Sequence, residues 1–156
     1  MFSKEEWDLL VKLPRWVVRA ASASQPDNAR RTMIETEAGF LSVAEGRTLG
    51  SDLVKDIAQD TMGVFDEKRG LPESAGISFQ DLDSGMTAVI EQARAALALM
   101  ENRAPDDAAA YRRWLLAISD TVIAAARSHG VLGVGGTYVT DLEKGFDRRL
   151  EQALGS

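Results

Sequence analysis

His129 is the one histidine in this chain, so by type it is the first residue to consider for proton transfer near neutral pH or for metal binding. Nothing around it completes such a set. It follows Ser128 and precedes Gly130 at the end of an apolar-striped segment, where an imidazole offsets the negative end of a helix dipole or meets solvent. With no cysteine and no second histidine, the chain is poorly supplied for zinc, and it lacks the Glu-x-x-His pairs of a ferritin-type di-iron bundle. The missing cysteines also remove a disulfide, a thiol nucleophile and a thiolate ligand. An enzyme would have to rest on carboxylates such as Glu35 and Glu37 with arginines such as Arg30 and Arg31. No catalytic residue, metal site or cofactor is assigned from them.

Two charge stripes come next. Asp52, Asp56 and Asp60 fall at four-residue steps on one face of a helix, where like charges repel by roughly a few tenths of a kcal/mol per pair. Lys12, Arg15 and Arg19 form a basic stripe at matching helical steps. The acidic stripe is either solvated or paired with the basic one, within the chain or across a dimer. A hard-cation site is a third reading, opposed by the fact that ligands from a single helix face do not enclose an ion.

Gly133-Val134-Gly135-Gly136 invites comparison with a phosphate-binding loop. It follows a helix rather than a strand, has no Gly-Lys-Ser/Thr ending and lacks a ribose-binding acid. Its surroundings, Val131, Leu132, Val134, Tyr138 and Val139, are apolar, which suits a packed latch or a two-stranded miniature hairpin around Gly135-Gly136. If the loop holds a ligand instead, Gly133, Gly135, Gly136, Thr137 and Thr140 are the residues to do so, with an anion as the ligand class.

These residues need elements to position them. Tyr111, Trp114, Leu115, Ile118, Val122 and Ala125 recur at three- and four-residue steps, the pattern of a helix with one buried face. Pro105, Asp106 and Asp107 suit its start, and Arg127, His129 and Gly130 its end. Thr140-Asp141-Leu142-Glu143 reads as a capping box opening a last helix with Leu142, Phe146, Leu150 and Leu154 inward. Ser3 and Glu6 form a similar box before Trp7, Leu10, Leu13 and Val17, in a helix that Pro14 should kink or divide. Trp16 lies off that stripe and either covers the edge of the core or offers an aromatic surface to a partner.

Further helices are expected from Asp27 or Asn28 to about Glu45, from Ser51 toward Met62, and from Asp81 or Asp83 to near Asn102. Residues 63–81 read as a long connection. Val17 to Ala21 with Glu37 to Phe40 can be laid on Val122 to Ala126 with Glu143 to Phe146, which would make two pseudo-repeated helix-loop-helix halves.

The expectation is an all-α, single-domain bundle over residues 1–156, of about six helices, with the helix from Asp106 to Ser128 central. Trp114, Leu115, Ile118, Val122, Ile90, Leu97, Ile57 and Phe146 should be nearly inaccessible. A net charge of -6 and a pI near 4.8 weigh against a nucleic-acid partner, and no stretch approaches the ~20 apolar residues of a membrane span. The start of the chain lacks a basic segment followed by an apolar run, so the cytoplasm is the expected location.

The alanine-rich helix, the small loop and the Thr-x-x-Glu helix start, over Trp114 to Leu154, resemble the repeating unit of TerB-like tellurite-resistance domains and small bacterial helical proteins with a glycine-rich loop. That resemblance implies a helical fold. The family pattern has an acidic Asp-Gly-Glu loop able to hold a cation, whereas Val131 to Val139 contain no acid, so no metal site is carried over. A chain rich in packing signals and poor in convergent titratable groups is expected to be a non-catalytic protein that works by protein association, with a protein partner or a second copy of itself. The alternative is a small-ligand or anion-binding protein using the glycine-rich loop at 130–140.

Overall fold

The computed structural model describes residues 2–22, 37–48, 50–68, 81–130 and 141–155. They form an all-α bundle, with no strand among the described residues. Helix α1 spans Lys4–Ser22, α2 is described over 37–44 and runs into a 3-10 turn at Glu45–Thr48, and α3 spans Asp52–Lys68. Then come α4 at Leu82–Arg103, α5 at Pro105–Gly130 and α6 at Asp141–Leu154.

The helix starts follow from their capping residues. Glu6 N donates to Ser3 Oγ at 3.1 Å while Ser3 N donates to Glu6 Oε1 at 2.8 Å, the reciprocal box expected from the sequence. The Ser3 backbone bond holds the Glu6 carboxyl below its ordinary pKa, assisted by Arg103, whose Nη2 lies 3.2 Å from Glu6 Oε2. Asp81 caps α4 by accepting from Asp83 N at 3.2 Å. Pro105 is the first residue of α5, where a missing N–H costs nothing. Ser51 Oγ accepts from Val54 N at 3.1 Å and donates to Asp107 Oδ1 at 2.7 Å, so one hydroxyl both caps α3 and ties it to the start of α5. Ser51→Ala should therefore cost about 0.5–2 kcal/mol in denaturant unfolding. A loss below a few tenths would mean the first turn of α3 finds other acceptors.

The core matches the expected set. Trp114, Leu115, Ile118, Val122 and Ile57 have no exposed surface, and Ile90, Leu97 and Phe146 are buried with them. Helix α5 touches α1, α3, α4 and α6, and so is central, but α1 touches α3, α4, α5 and α6 and shares that position. From Leu10 to Ser22 only Lys12 and Arg19 escape burial, so the second half of α1 is enclosed on nearly every side rather than along one stripe.

Pro14 does not divide α1. The helix is continuous across it, and the one carbonyl left short of its donor is reached from outside. A regular helix would give the Leu10 carbonyl the N–H of residue 14, which proline lacks. Tyr111 Oη donates to Leu10 O at 3.0 Å in its place. On the next carbonyl, Thr61 Oγ1 lies 2.9 Å from Val11 O and 2.8 Å from Ile57 O, two acceptors for one hydroxyl proton. Burial pushes the Tyr111 phenol well above its ordinary pKa, so the hydroxyl stays a donor at any pH the fold meets.

Helix α2 is held by close contacts. A Cβ on Gly39 would stand 2.7 Å from Val18 Cγ1, and one on Gly46 2.5 Å from Trp114 Cε2. Trp114 Nε1 also donates to Ser42 O at 3.3 Å. The 3-10 turn thus lies against the indole, and Gly50, with φ near 80°, turns the chain into α3.

Two boundaries differ from the sequence expectation. Helix α3 runs on through Gly63 to Lys68 instead of ending near Met62, since Gly63 is exposed and lowers helix propensity without obstructing the turn. Helix α5 continues through His129 to Gly130. The suggested repeat gives its glycines different settings: Gly39 is pressed on Val18, while a Cβ on Gly145 would meet nothing within 4 Å.

Candidate functional site

Trp16 is not an exposed aromatic. It is 7% exposed and belongs to the core, so the partner-surface role is corrected to the packing one. The reason lies in the enclosure of α1: with nearly the whole circumference covered beyond Leu10, a residue off the main stripe is still inside. Gly133, Gly135, Gly136, Thr137 and Thr140 lie outside the described residues, as do Arg30, Arg31 and Glu35. So the hairpin or latch at 131–140 and the Thr140 capping box also fall outside them. Glu37 is exposed at the start of the described part of α2.

The acidic stripe is solvated. Asp52, Asp56 and Asp60 are all exposed, and Asp60 Oδ2 accepts from Trp7 Nε1 at 2.7 Å rather than meeting a cation of α1. The three residues of the basic stripe have separate settings: Lys12 and Arg19 are half-buried, while Arg15 is enclosed. No group of three or more acidic or histidine side chains among the described residues could hold a metal ion.

The charged groups of α6 brace it on its neighbours. Arg149 Nη2 donates to Thr87 Oγ1 at 2.6 Å and its Nη1 lies 3.4 Å from Asp83 Oδ1, fastening α6 to α4. Arg112 Nη1 donates to Gly155 O at 2.8 Å, closing the end of α6 onto α5. Ser119 Oγ donates to Asp147 Oδ1 at 2.9 Å.

Beside that bond, Asp120 is pushed up to about 6 by desolvation, by a hydrogen bond with Asp147 and by the charges of Asp147 and Glu151. A carboxyl whose folded pKa is raised binds its proton more tightly in the native state. Its stabilising contribution is complete below the ordinary value of 3.8 and is lost as pH rises through about 6. Asp120→Asn should flatten that part of the stability profile between pH 4 and 6 and raise stability at pH 7, as read by melting temperature against pH. Parallel profiles for the two proteins would remove the pair from the account. This α5–α6 contact was not legible as a site, because Asp120 and Asp147 are brought together by tertiary packing alone.

The outer side of α2 is the remaining surface of note. Leu41 is 64% exposed, the large apolar side chain that stands out among the described residues. Phe40 and Ala44 beside it are half-buried, and Glu37, Glu45 and Arg47 are exposed around it. The helix beneath is pinned through Gly39, Ser42 and Gly46, so the leucine stands on a fixed platform. Compared with protein-family models, curated proteins and solved structures, the chain matches none. No helix among the described residues is long and apolar enough to cross a membrane.

Proposed function

We propose that this protein is a non-catalytic cytoplasmic module that works by association, and that a second copy of the chain packs on α2. The observation that carries the reading is Leu41, held out to solvent on a helix whose opposite side is locked to Trp114 and Val18. Burying one leucine in a partner contributes about 1.5–3 kcal/mol, enough to bias an encounter. The exposed charges around it are two acids, Glu37 and Glu45, and one base, Arg47. An antiparallel pairing of two α2 segments about a two-fold axis near Ser42 brings Glu37 of one copy opposite Arg47 of the other.

Sedimentation velocity over a concentration series tests this directly. The wild-type chain is expected to move toward dimer as concentration rises, Leu41→Asp to remain monomeric, and the double charge exchange Glu37→Arg with Arg47→Glu to associate better than either single change. A wild-type protein that stays monomeric throughout, or a Leu41→Asp variant that associates as well as wild type, would sink the proposal.

A second reading, a small-ligand or anion-binding protein, is favoured by a different observation: the setting of Arg15.

A further inference from the structure

Arg15 is an arginine inside the core. It retains 2% of its surface, and both Nε and Nη1 are buried without a hydrogen-bond partner. Its position is set by α1. Taking about 100° per residue, Arg15 lies about 40° around the helix from Val11 and about 60° from Val18. Val11 meets Thr61 of α3 through its carbonyl, and Val18 meets Gly39 of α2. Both lie to the same side of Arg15 around the helix, so Arg15 stands at the flank of the face of α1 that meets α3 and α2, between those two contacts along the axis.

Such a setting is unfavourable as it stands. A guanidinium does not shed its proton in a protein, so it cannot escape the cost of burial by neutralising itself as a lysine can. Burial lowers its pKa, and no carboxylate among the described residues acts to raise it again. Asp60, the acid beside Thr61 on α3, is exposed and accepts from Trp7. A buried cation without a counter-charge is among the most destabilising features a core can hold, and it is retained where something else supplies the charge. Lys12, three residues earlier on the neighbouring side of α1 and half-buried, adds a second cation toward the same flank.

We propose that Arg15 is the anchor of an anion-binding site at that flank of α1, taking the carboxylate or phosphate group of a small molecule. The two unused N–H groups donate to its oxygens, and the ligand's negative charge supplies the counter-ion that none of the described residues provides. Lys12 stands at the rim. The site is independent of the α2 surface through which association is proposed, so either can fail without the other.

The test uses the whole chain and two probes, sodium phosphate and sodium acetate, each added against sodium chloride at equal ionic strength. The Arg15 Nε–H signal in a ¹⁵N-labelled sample is expected to shift in a saturable way with at least one of them, and the melting temperature to rise with it. The stronger responder identifies the group as phosphate or carboxylate. Arg15→Met keeps the length of the side chain and removes its charge. It is expected to melt no lower than wild type in chloride alone, because an uncompensated charge has been removed, and to bind the probe at least about tenfold more weakly. A wild-type protein that responds to neither anion beyond chloride overturns the proposal. So does an Arg15→Met protein that responds as strongly as wild type, or one that folds but melts lower in chloride, which would make Arg15 structural. If Arg15→Met does not fold, the wild-type titration decides: a saturable shift at Arg15 supports the site and an unmoved signal refutes it.

Discussion

Trp114→Ala should destabilise the protein by about 3–5 kcal/mol, the range for removing a large aromatic side chain from a packed core. Trp114 has no exposed surface, and three elements depend on it. Its indole N–H donates to Ser42 O, its ring lies against Gly46 in the 3-10 turn, and Tyr111 meets it edge-on with ring centroids 5.9 Å apart. Truncation leaves a cavity bounded by helix backbone, which collapses poorly, and strips a buried carbonyl of its donor. Equilibrium unfolding in urea measures the effect. A loss under about 1 kcal/mol would mean that α2 and the 3-10 turn close over the gap, and that the indole does not hold them in place. Gly46→Ala probes the same contact from the other side, since the added methyl is driven into the ring.

Tyr111→Phe should cost about 1–3 kcal/mol, the penalty for leaving a buried acceptor without a donor. The ring stays and only the hydroxyl that reaches Leu10 O is lost. The expected result has a sharper form in combination with Pro14→Ala, because an alanine at that position brings its own N–H to the Leu10 carbonyl. In a protein already carrying Pro14→Ala, the same tyrosine change should cost clearly less, with a coupling of about 0.5 kcal/mol or more across the double-mutant cycle. Additive effects in that cycle would show that the hydroxyl and the proline act separately.

Those two residues also mark what could be read from the chain alone. The capping box at Ser3 and Glu6, the cap at Ser51 and the start at Pro105 were legible because each is a local device, complete within a few residues. The core positions of α4, α5 and α6 were legible because three- and four-residue periodicity places them on one face. Pro14 was legible only as an obstacle: its remedy is the Tyr111 hydroxyl, 101 residues from the carbonyl it reaches, which no local pattern announces. For Trp16 the sequence left two readings open, of which the buried one holds, and for Arg15 it showed only a basic stripe, for a common reason. Both sit away from the main stripe of α1, and only the closure of α3, α4, α5 and α6 around that helix places them inside. For Arg15 a faint signal existed, in that it stands on the same side of α1 as Val11 and Val18.

The open Leu10 carbonyl of α1 also bears on the order in which the fold is completed during synthesis. As the nascent chain leaves the ribosome, its first helix emerges with the Leu10 carbonyl open, and the hydroxyl suited to it is a further 101 residues behind. Thr61 arrives earlier, 50 residues after Val11, and secures only the neighbouring carbonyl. Until α5 is out, the second half of α1 leaves apolar residues such as Leu13, Trp16, Val17 and Val18 uncovered beside the open carbonyl. Helix α1 is thus completed only once α5 is made, and a nascent chain that stalls before Tyr111 leaves apolar surface of the kind that holdase chaperones bind.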